Sequence, residues 1–325
     1  MYDVVALGEA LIDFTMVSAD GEGYPTMAAH PGGAPANFLA ALSKFGARTA
    51  LISKVGDDSF GHLLLGTLAK AGIDGKGVAV DSEVFTTLAF VTLDSKGERE
   101  FSFARKPGAD TCIKEEELDL ELIDQAKVFH FGSLSLTHEP SRSATEAAAM
   151  YARAKSKLVS FDPNLREPLW KDLKEAKERM IWGMEMADVI KISDDEVKFL
   201  FGMEPEEGCK YIFSCFAPKL LFVTCGGDGC WYMNPKAMGH GDSLKGIKIL
   251  DKTGAGDIFG GSAMYKILQS GKDPAELTGQ ELAEIVRFAS AAAGLSATKA
   301  GGISSVPEPE EVAAALTGIM APGKT

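Results

Sequence analysis

Cysteine is scarce in this sequence and poorly placed to organise a fold. The five present, Cys112, Cys209, Cys215, Cys225 and Cys230, are odd in number and none stands at C-x-x-C spacing from another. Neither a disulfide framework nor a zinc or dithiol site is expected. Histidine is equally sparse, with five residues, none at helical-pair spacing from another, so a His-pair metal site on a helix is not indicated. Basic charge is in deficit: 33 Lys and Arg stand against 46 Asp and Glu, for a net charge of −13. A nucleic-acid or anionic-membrane surface needs clustered cations, so the expected partner is a small molecule. No apolar run approaches the length that spans a bilayer, and Met1-Tyr2-Asp3 leads into "VVAL" without a basic leader, which reads as cytoplasmic. The first strand-like run is followed by "GEALID", with Gly8 alone where a dinucleotide fold would carry G-x-G-x-x-G, so hydride chemistry loses its usual support. Residues 318–325 match the string G-x-x-x-x-G-K-[ST], but a P-loop presents its amides at the start of a following helix, and the sequence stops at Thr325.

What is present is a regular alternation. With 46% hydrophobic residues the chain can bury a large core. Strand-like runs at Val4–Leu7, Ala50–Val55, Val128–Phe131, Leu158–Phe161, Val189–Ile192 and Leu220–Thr224 alternate with helix-like segments. Among the latter, Ala36–Phe45 and Ser59–Ala71 each end before a glycine. This is the pattern of a mainly parallel sheet covered by helices on both faces, and no repeat or linker divides it. Thr86–Ala104 departs from the rhythm: it alternates, turns at Ser95-Lys96-Gly97 and alternates again, which predicts a β-hairpin flap, with Asp13–His30 as its partner. Phe101 and Phe103 share one face of the second strand and either line a pocket or bury the flap against the body.

Four stretches carry candidate chemistry. In "ILDKTGAGDIFGGSAMYKIL", Ile247, Ile249 and Leu250 read as the end of a buried strand, and Ile258, Phe259, Ala263, Met264, Ile267 and Leu268 recur at helical spacing. Gly254, Ala255 and Gly256 then fall at a helix N-terminus, where orphan N–H groups and the helix dipole suit an anion. Asp257 serves there as a base or simply as a helix cap; on this stretch alone both readings stand. "HPGGAPANFLAAL" places Gly32 and Gly33 ahead of a helix and offers Asn37, whose amide both donates and accepts, as polyol hydroxyls require. In "FDPNLREPLW", Asp162, Asn164 and Arg166 sit on the loop after a buried strand, the edge where open α/β sheets bind ligands. Ser193-Asp194-Asp195-Glu196 is a capping box, and capping alone accounts for Glu196.

Gly32-Gly33 with Asn37, Asp162-Pro163-Asn164 with Arg166, "VTCGGDGCW" and "DKTGAGDIFGG" occur in this order and together resemble the ribokinase/PfkB carbohydrate kinases over essentially the whole chain. Within that family, "ALGEALIDF", "PGGAPANFLAALSKFGA", "FSFARKPGAD", "HFGSLSLTHEPSRSAT" and "DPNLR" look most like bacterial fructokinases. The resemblance implies a ribokinase-like three-layer α/β/α sandwich with a mainly parallel central sheet. It implies one kinase domain over residues 1–325, with a small β-sheet lid from about 13–30 and 84–110. The implied activity is transfer of the γ-phosphoryl group of ATP to the 6-hydroxyl of D-fructose. A 2-keto-3-deoxygluconate kinase or another PfkB-type sugar kinase is the alternative, and a non-catalytic sugar sensor the remote one.

Set onto this sequence, the resemblance makes Asp257 the base and the amides of Gly254, Ala255 and Gly256 the anion hole. Asp13, Gly32, Gly33, Asn37, Arg105 and Arg166 match sugar-binding positions, with Phe101 and Phe103 nearby. Ser193, Thr224, Gly226, Gly229 and Ser290 match the nucleotide side, together with Gly254 and Gly256. Glu196 matches the acidic position that organises Mg²⁺ through water. Asp251, Thr253, Ser296, Lys299, Gly301 and Ser305 match a potassium loop. Partners implied are a sugar and ATP, with the protein a monomer or a homodimer through the lid. Lys252, Ser193, Ser290 and Ala104 depart from the residues common in the family, which are Thr, Asn, Asn and Tyr respectively.

Overall fold

The apolar runs are short and rich in β-branched and aromatic residues, which favours strands buried on both faces. A computed structural model describes residues 1–93 and 99–318, with Leu93 and residues 99–101 described by backbone only. The Ser95-Lys96-Gly97 turn, the Phe101 side chain and residues 319–325 of the P-loop-like string lie outside the described residues. The strands are β1 (Tyr2–Leu7), β2 (Leu11–Ala19), β3 (Pro25–Gly32), β4 (Thr49–Gly56), β5 (Ile73–Asp81), β6 (Leu88–Leu93), β7 (Arg99–Ala104), β8 (Ala126–Gly132), β9 (Leu158–Asp162), β10 (Val189–Ser193), β11 (Leu220–Thr224), β12 (Cys230–Met233) and β13 (Met238–Gly241).

The central sheet has nine strands in the order β13-β12-β11-β10-β9-β8-β1-β4-β5. It is parallel from β5 through β11 and closes with the antiparallel β12 and β13. Successive side chains point to opposite faces, so Val4 and Ala6 join one apolar core while Val5 and Leu7 join the other. The first core is closed by helices Ala34–Lys44, Ala255–Ser270 and Gly279–Ser296, the second by Ser141–Ala154, Leu173–Met186 and Pro205–Phe216. From β1 the chain goes to β4 and β5 on one side and later to β8 and beyond on the other. The loops leaving the carboxyl ends of β1 and β8 therefore diverge, and a crevice opens between them.

A second, four-stranded sheet, β3-β2-β6-β7, is built from the two segments that lacked helical periodicity. The expected hairpin is present, β6 against β7, and β2 pairs in parallel with β6. Phe14 of β2 stacks on Phe90 of β6 at 5.2 Å and meets Phe60 of helix Ser59–Lys70 edge-on at 5.5 Å, which ties this sheet to the body.

One expectation fails. Ile247, Ile249 and Leu250 form no strand; the segment is a loop, and Ile249 and Leu250 are exposed. They do not add to β13, the sheet edge: the amides of Leu250 and Asp251 turn instead to the Ala297 carbonyl at 2.8 and 3.1 Å. The small residues thus sit between a loop and a helix.

Candidate active site

The crevice holds a cavity of ≈ 140 Å³. Its body wall comes from the carboxyl ends of the sheet: Glu9 after β1, Leu134 after β8, Asn164 and Arg166 after β9. Gly33, Ala34 and Asn37 from one helix start, and Thr253, Gly254 and Asp257 from another, face the same space. Leu11 and Asp13 of β2, Val91 of β6 and Phe103 of β7 close it from the second sheet. The pleat sends alternate residues of these strands inward.

Asp257 lies in the first turn of helix Ala255–Ser270, behind the N-cap Gly254. Gly254 adopts φ 74, a left-handed conformation that glycine takes without strain, and a Cβ there would crowd Gly302 and the Asn37 amide. The Ala255 N–H donates to the Lys252 carbonyl at 3.2 Å, while the Gly254 and Gly256 N–H groups meet no acceptor among the described residues. Both Asp257 oxygens are held: Asn37 Nδ2 donates to Oδ2 at 2.9 Å and Asn164 Nδ2 to Oδ1 at 3.2 Å. Burial pushes this carboxyl above its usual range, against the Asn37 hydrogen bond and the Lys191 and Arg166 charges, which pull it down. Once ionised, a carboxyl raised in this way is a better proton acceptor than an exposed one.

The loop after β9 is pinned at successive residues. Asp162 Oδ2 takes the Lys191 ammonium at 3.0 Å, the Pro163 carbonyl accepts from the Ser133 N–H and hydroxyl, and the Leu165 N–H donates to Glu196 Oε1 at 2.7 Å. The capping box forms as expected, with Glu196 Oε2 taking the Ser193 N–H at 2.8 Å. Capping is therefore half of what Glu196 does; its other oxygen fixes the neighbouring loop. Burial opposes the Lys191 charge, but Asp162, Glu196 and Asp257 outweigh it and hold the ammonium above its ordinary value. A Cβ built on Gly256 would come within 3.0 Å of Lys191 Nζ, which puts this cation under the small-residue turn.

Glu9 and Asp13 complete the anionic side of the cavity. Burial pushes each of them up to about 7. Glu9 Oε1 accepts the Ala34 N–H at 2.8 Å, taking over from the N-cap Gly33, which has no side chain to cap with. Gly33 cannot be replaced freely: at φ 113 a Cβ would stand 2.2 Å from the Glu9 carbonyl. Asp13 lies over Gly32, and Asn37 Oδ1 is buried with no hydrogen-bond partner. Arg105 is not at the cavity wall. Its guanidinium is buried against Asp110, with Nη2 2.6 Å from Oδ2, and also donates to Thr137 Oγ1 and the Leu134 carbonyl.

The positions matched to nucleotide lie further along the sheet. Ser193 and Thr224 are register partners at the ends of β10 and β11, Gly226 and Gly229 form the turn after β11, and Ser290 is buried on helix Gly279–Ser296. Asp251 Oδ1 accepts from the Thr253 N–H at 3.0 Å and its hydroxyl at 2.8 Å, while Oδ2 accepts the Gly301 N–H at 3.0 Å. Thr253 and Gly301 are so tied to one buried carboxylate, Asp251, a hard oxygen group of the kind a monovalent cation accepts. Buried Asp162 Oδ1 has no partner and Glu196 is close enough to act on its charge. Both Glu196 oxygens already accept a backbone N–H, so Glu196 would reach a Mg²⁺ through the waters that the ion keeps.

Sequence reasoning placed Asn164 on the right loop without a role and passed over Lys191 and Glu9. A lysine inside the otherwise apolar "VIKIS" was the signal for Lys191, since a buried strand rarely keeps a charge without a partner. Glu9 carried no comparable mark, because its work depends on a helix start 25 residues away.

The family model described as "pfkB family carbohydrate kinase" matches residues 1–309. Among curated proteins, "Probable fructokinase-3" of Arabidopsis thaliana is 43% identical over 94% of this chain and 88% of its own. "Fructokinase-1" of Oryza sativa subsp. japonica is 42% identical over 95% and 96%. Among solved structures, the fructokinase of Xylella fastidiosa with bound ATP superposes with TM-score 0.89 at 29% identity, covering 98% of this chain and 99% of that one. A double mutant of the Vibrio cholerae O395 fructokinase, in fructose, ADP and potassium ion bound form, gives 0.86 at 31% over 97% and 98%. A putative ribokinase II of E. coli in complex with ATP and Mg²⁺ gives 0.85 at 27% over 98% and 99%. The fold is the ribokinase-like α/β sandwich with its small β-sheet lid.

Proposed function

This chain belongs to the pfkB family of carbohydrate kinases, and we propose that it is the ATP-dependent kinase of D-fructose, acting at the 6-hydroxyl. It is a phosphotransferase with an alcohol group as acceptor. The observation that carries the residue roles is the placement of Asp257: a buried carboxylate at a helix N-terminus, gripped by two amides, on the wall of a sugar-sized cavity. In the reaction the sugar O6–H proton passes to an Asp257 oxygen as the O6–Pγ bond forms. The bond from Pγ to the bridging oxygen breaks, and its electron pair leaves with ADP. The Gly254 and Gly256 amides and the helix dipole face the migrating charge, and Lys191 supports them from beneath. The 193, 224–229 and 290 positions hold the nucleotide, and closure of the lid keeps water from competing as acceptor.

Glu196 would organise Mg²⁺ through water and the 251–305 loop segments would hold a potassium ion; bound there, these cations would neutralise phosphate charge in a protein of net charge −13. The chain's own residues do the positioning. Asp13 and Asn37 meet sugar hydroxyls, Gly33 lets the sugar reach the backbone, and Phe103 covers it.

A neutral sugar fits this cavity better than a sugar acid. Glu9, Asp13 and Asp257 line it together with Arg166 and Lys252, and Arg105 is already neutralised by Asp110. With equal ATP, fructose is expected to exceed 2-keto-3-deoxygluconate at least about tenfold in kcat/KM, since Arg105 is committed to Asp110 and a carboxylate would enter beside three carboxyl groups. The reverse preference in a substrate panel would overturn the assignment. The pH profile follows from the same groups. A carboxyl raised by burial is protonated below its raised value and then takes no proton, so activity is present above that value and lost as pH falls through it. With Asp257 raised and Asp13 pushed up to about 7, the acid limb of kcat/KM is expected above the ordinary carboxylate range. A limb near the ordinary carboxylate value would count against both assignments.

A further inference from the structure

Among the described residues, those other than glycine with positive φ are Ser156, Asn164 and Ala217. Ser156 and Ala217 follow the helices Ser141–Ala154 and Pro205–Phe216, where a left-handed residue is the ordinary way to stop. Asn164, at φ 47, ends no helix. It sits on the loop after β9, between residues that are tied down on either side: Asp162 by Lys191, the Pro163 carbonyl by Ser133, and the Leu165 N–H by Glu196. The loop therefore cannot relax the strain by shifting. Strained backbone in a rigid frame is kept where it aims something. What it aims is Asn164 Nδ2, which donates to Asp257 Oδ1 while Asn37 Nδ2 donates to the other oxygen.

We propose that Asn164 is a positioning residue for catalysis: its left-handed backbone delivers the second of two amide donors that fix the plane of the Asp257 carboxylate toward the acceptor hydroxyl. One donor leaves a carboxylate free to turn about its Cβ–Cγ bond; two, on different oxygens, lock it. The role deepens the kinase reading and rests on it. It differs from a sugar-binding role, because it acts through Asp257, and from a structural one, because the loop has its own anchors.

The test is Asn164→Gly, since glycine accepts the same φ and removes only the amide. Because misplacing a reacting group by about 1 Å costs on the order of 10²-fold, kcat with fructose is expected to fall at least tenfold, with KM for fructose and ATP within about threefold of wild type. The thermal midpoint should stay the same. Loss of an N–H that favours the ionised form moves the acid limb of kcat to higher pH. Asn164→Asp, which also tolerates the backbone but brings a negative charge and no donor, should be slower still. Wild-type kcat and an unmoved acid limb in Asn164→Gly would overturn the proposal, and so would a loss confined to KM, which would make Asn164 a sugar ligand instead. Wild-type turnover is measured first, and if no sugar is phosphorylated, the kinase reading fails by itself. The positioning claim is then decided by ¹³C-carboxyl titration of Asp257 in the ligand-free proteins: an upward shift in Asn164→Gly supports it and identical titrations reject it.

Discussion

Asp257→Asn is expected to lower kcat with fructose roughly 10³-fold, the scale on which removal of a general base acts. ATP affinity should remain within about threefold, because the substitution keeps shape and leaves the anion turn in place. Asparagine still offers Oδ1 to one of the two donors, Asn37 and Asn164, so the loss is chemical rather than architectural. The amide cannot take the O6 proton, and the part of the acid limb that Asp257 sets should vanish, leaving the part set by Asp13. The check is kcat across pH together with calorimetric binding of ATP. An unchanged rate would remove Asp257 from the chemistry.

Lys191→Met gives the second large effect, and it has two separable parts. The ammonium is buried 3.0 Å from Asp162 Oδ2. Removing it strands a buried carboxylate whose other oxygen already lacks a partner, at a cost of about 3–5 kcal/mol in stability. Adding Asp162→Asn neutralises that carboxylate and should return most of the lost stability. Activity should not return, because the cation under Gly254–Gly256 is still missing; removing one fixed group that stabilises transition-state charge costs about 10²–10³-fold. Denaturant unfolding and kcat measured on the single and double variants distinguish the two. If the double variant regains both stability and turnover, Lys191 is only a partner for Asp162.

Much of this molecule was legible from residue order. The apolar runs gave the parallel strands because a strand buried on both faces has to be continuously apolar, and "VVAL" or "LLFVT" permits little else. The hairpin of the second sheet showed as strict alternation, and the glycines around Asp257 announced a helix start open to an anion. These are local signals, and local physics sets them. The resemblance of four ordered motifs then supplied the family, which the match over residues 1–309 shows.

Other features were decided only by packing. Ile249 and Leu250 are as apolar as any strand residue, yet they lie in an exposed loop, with the Leu250 amide turned to the Ala297 carbonyl and not to the β13 edge. Arg105 stands in a motif that matches sugar binding, but Asp110, five residues on, takes its guanidinium in the interior. Lys191 meets Asp162 from a neighbouring strand, and Asn164 meets Asp257 across 93 residues of chain. The sequence alone determined that Asp257 would stand at a helix mouth beside small residues, since turn chemistry and helical periodicity are written in neighbouring positions. Only the tertiary structure decided which amides, cation and carboxylates would surround it, because those partners come from separate strands, loops and a helix, and hydrogen bonds of 2.7–3.2 Å join them to it or to one another.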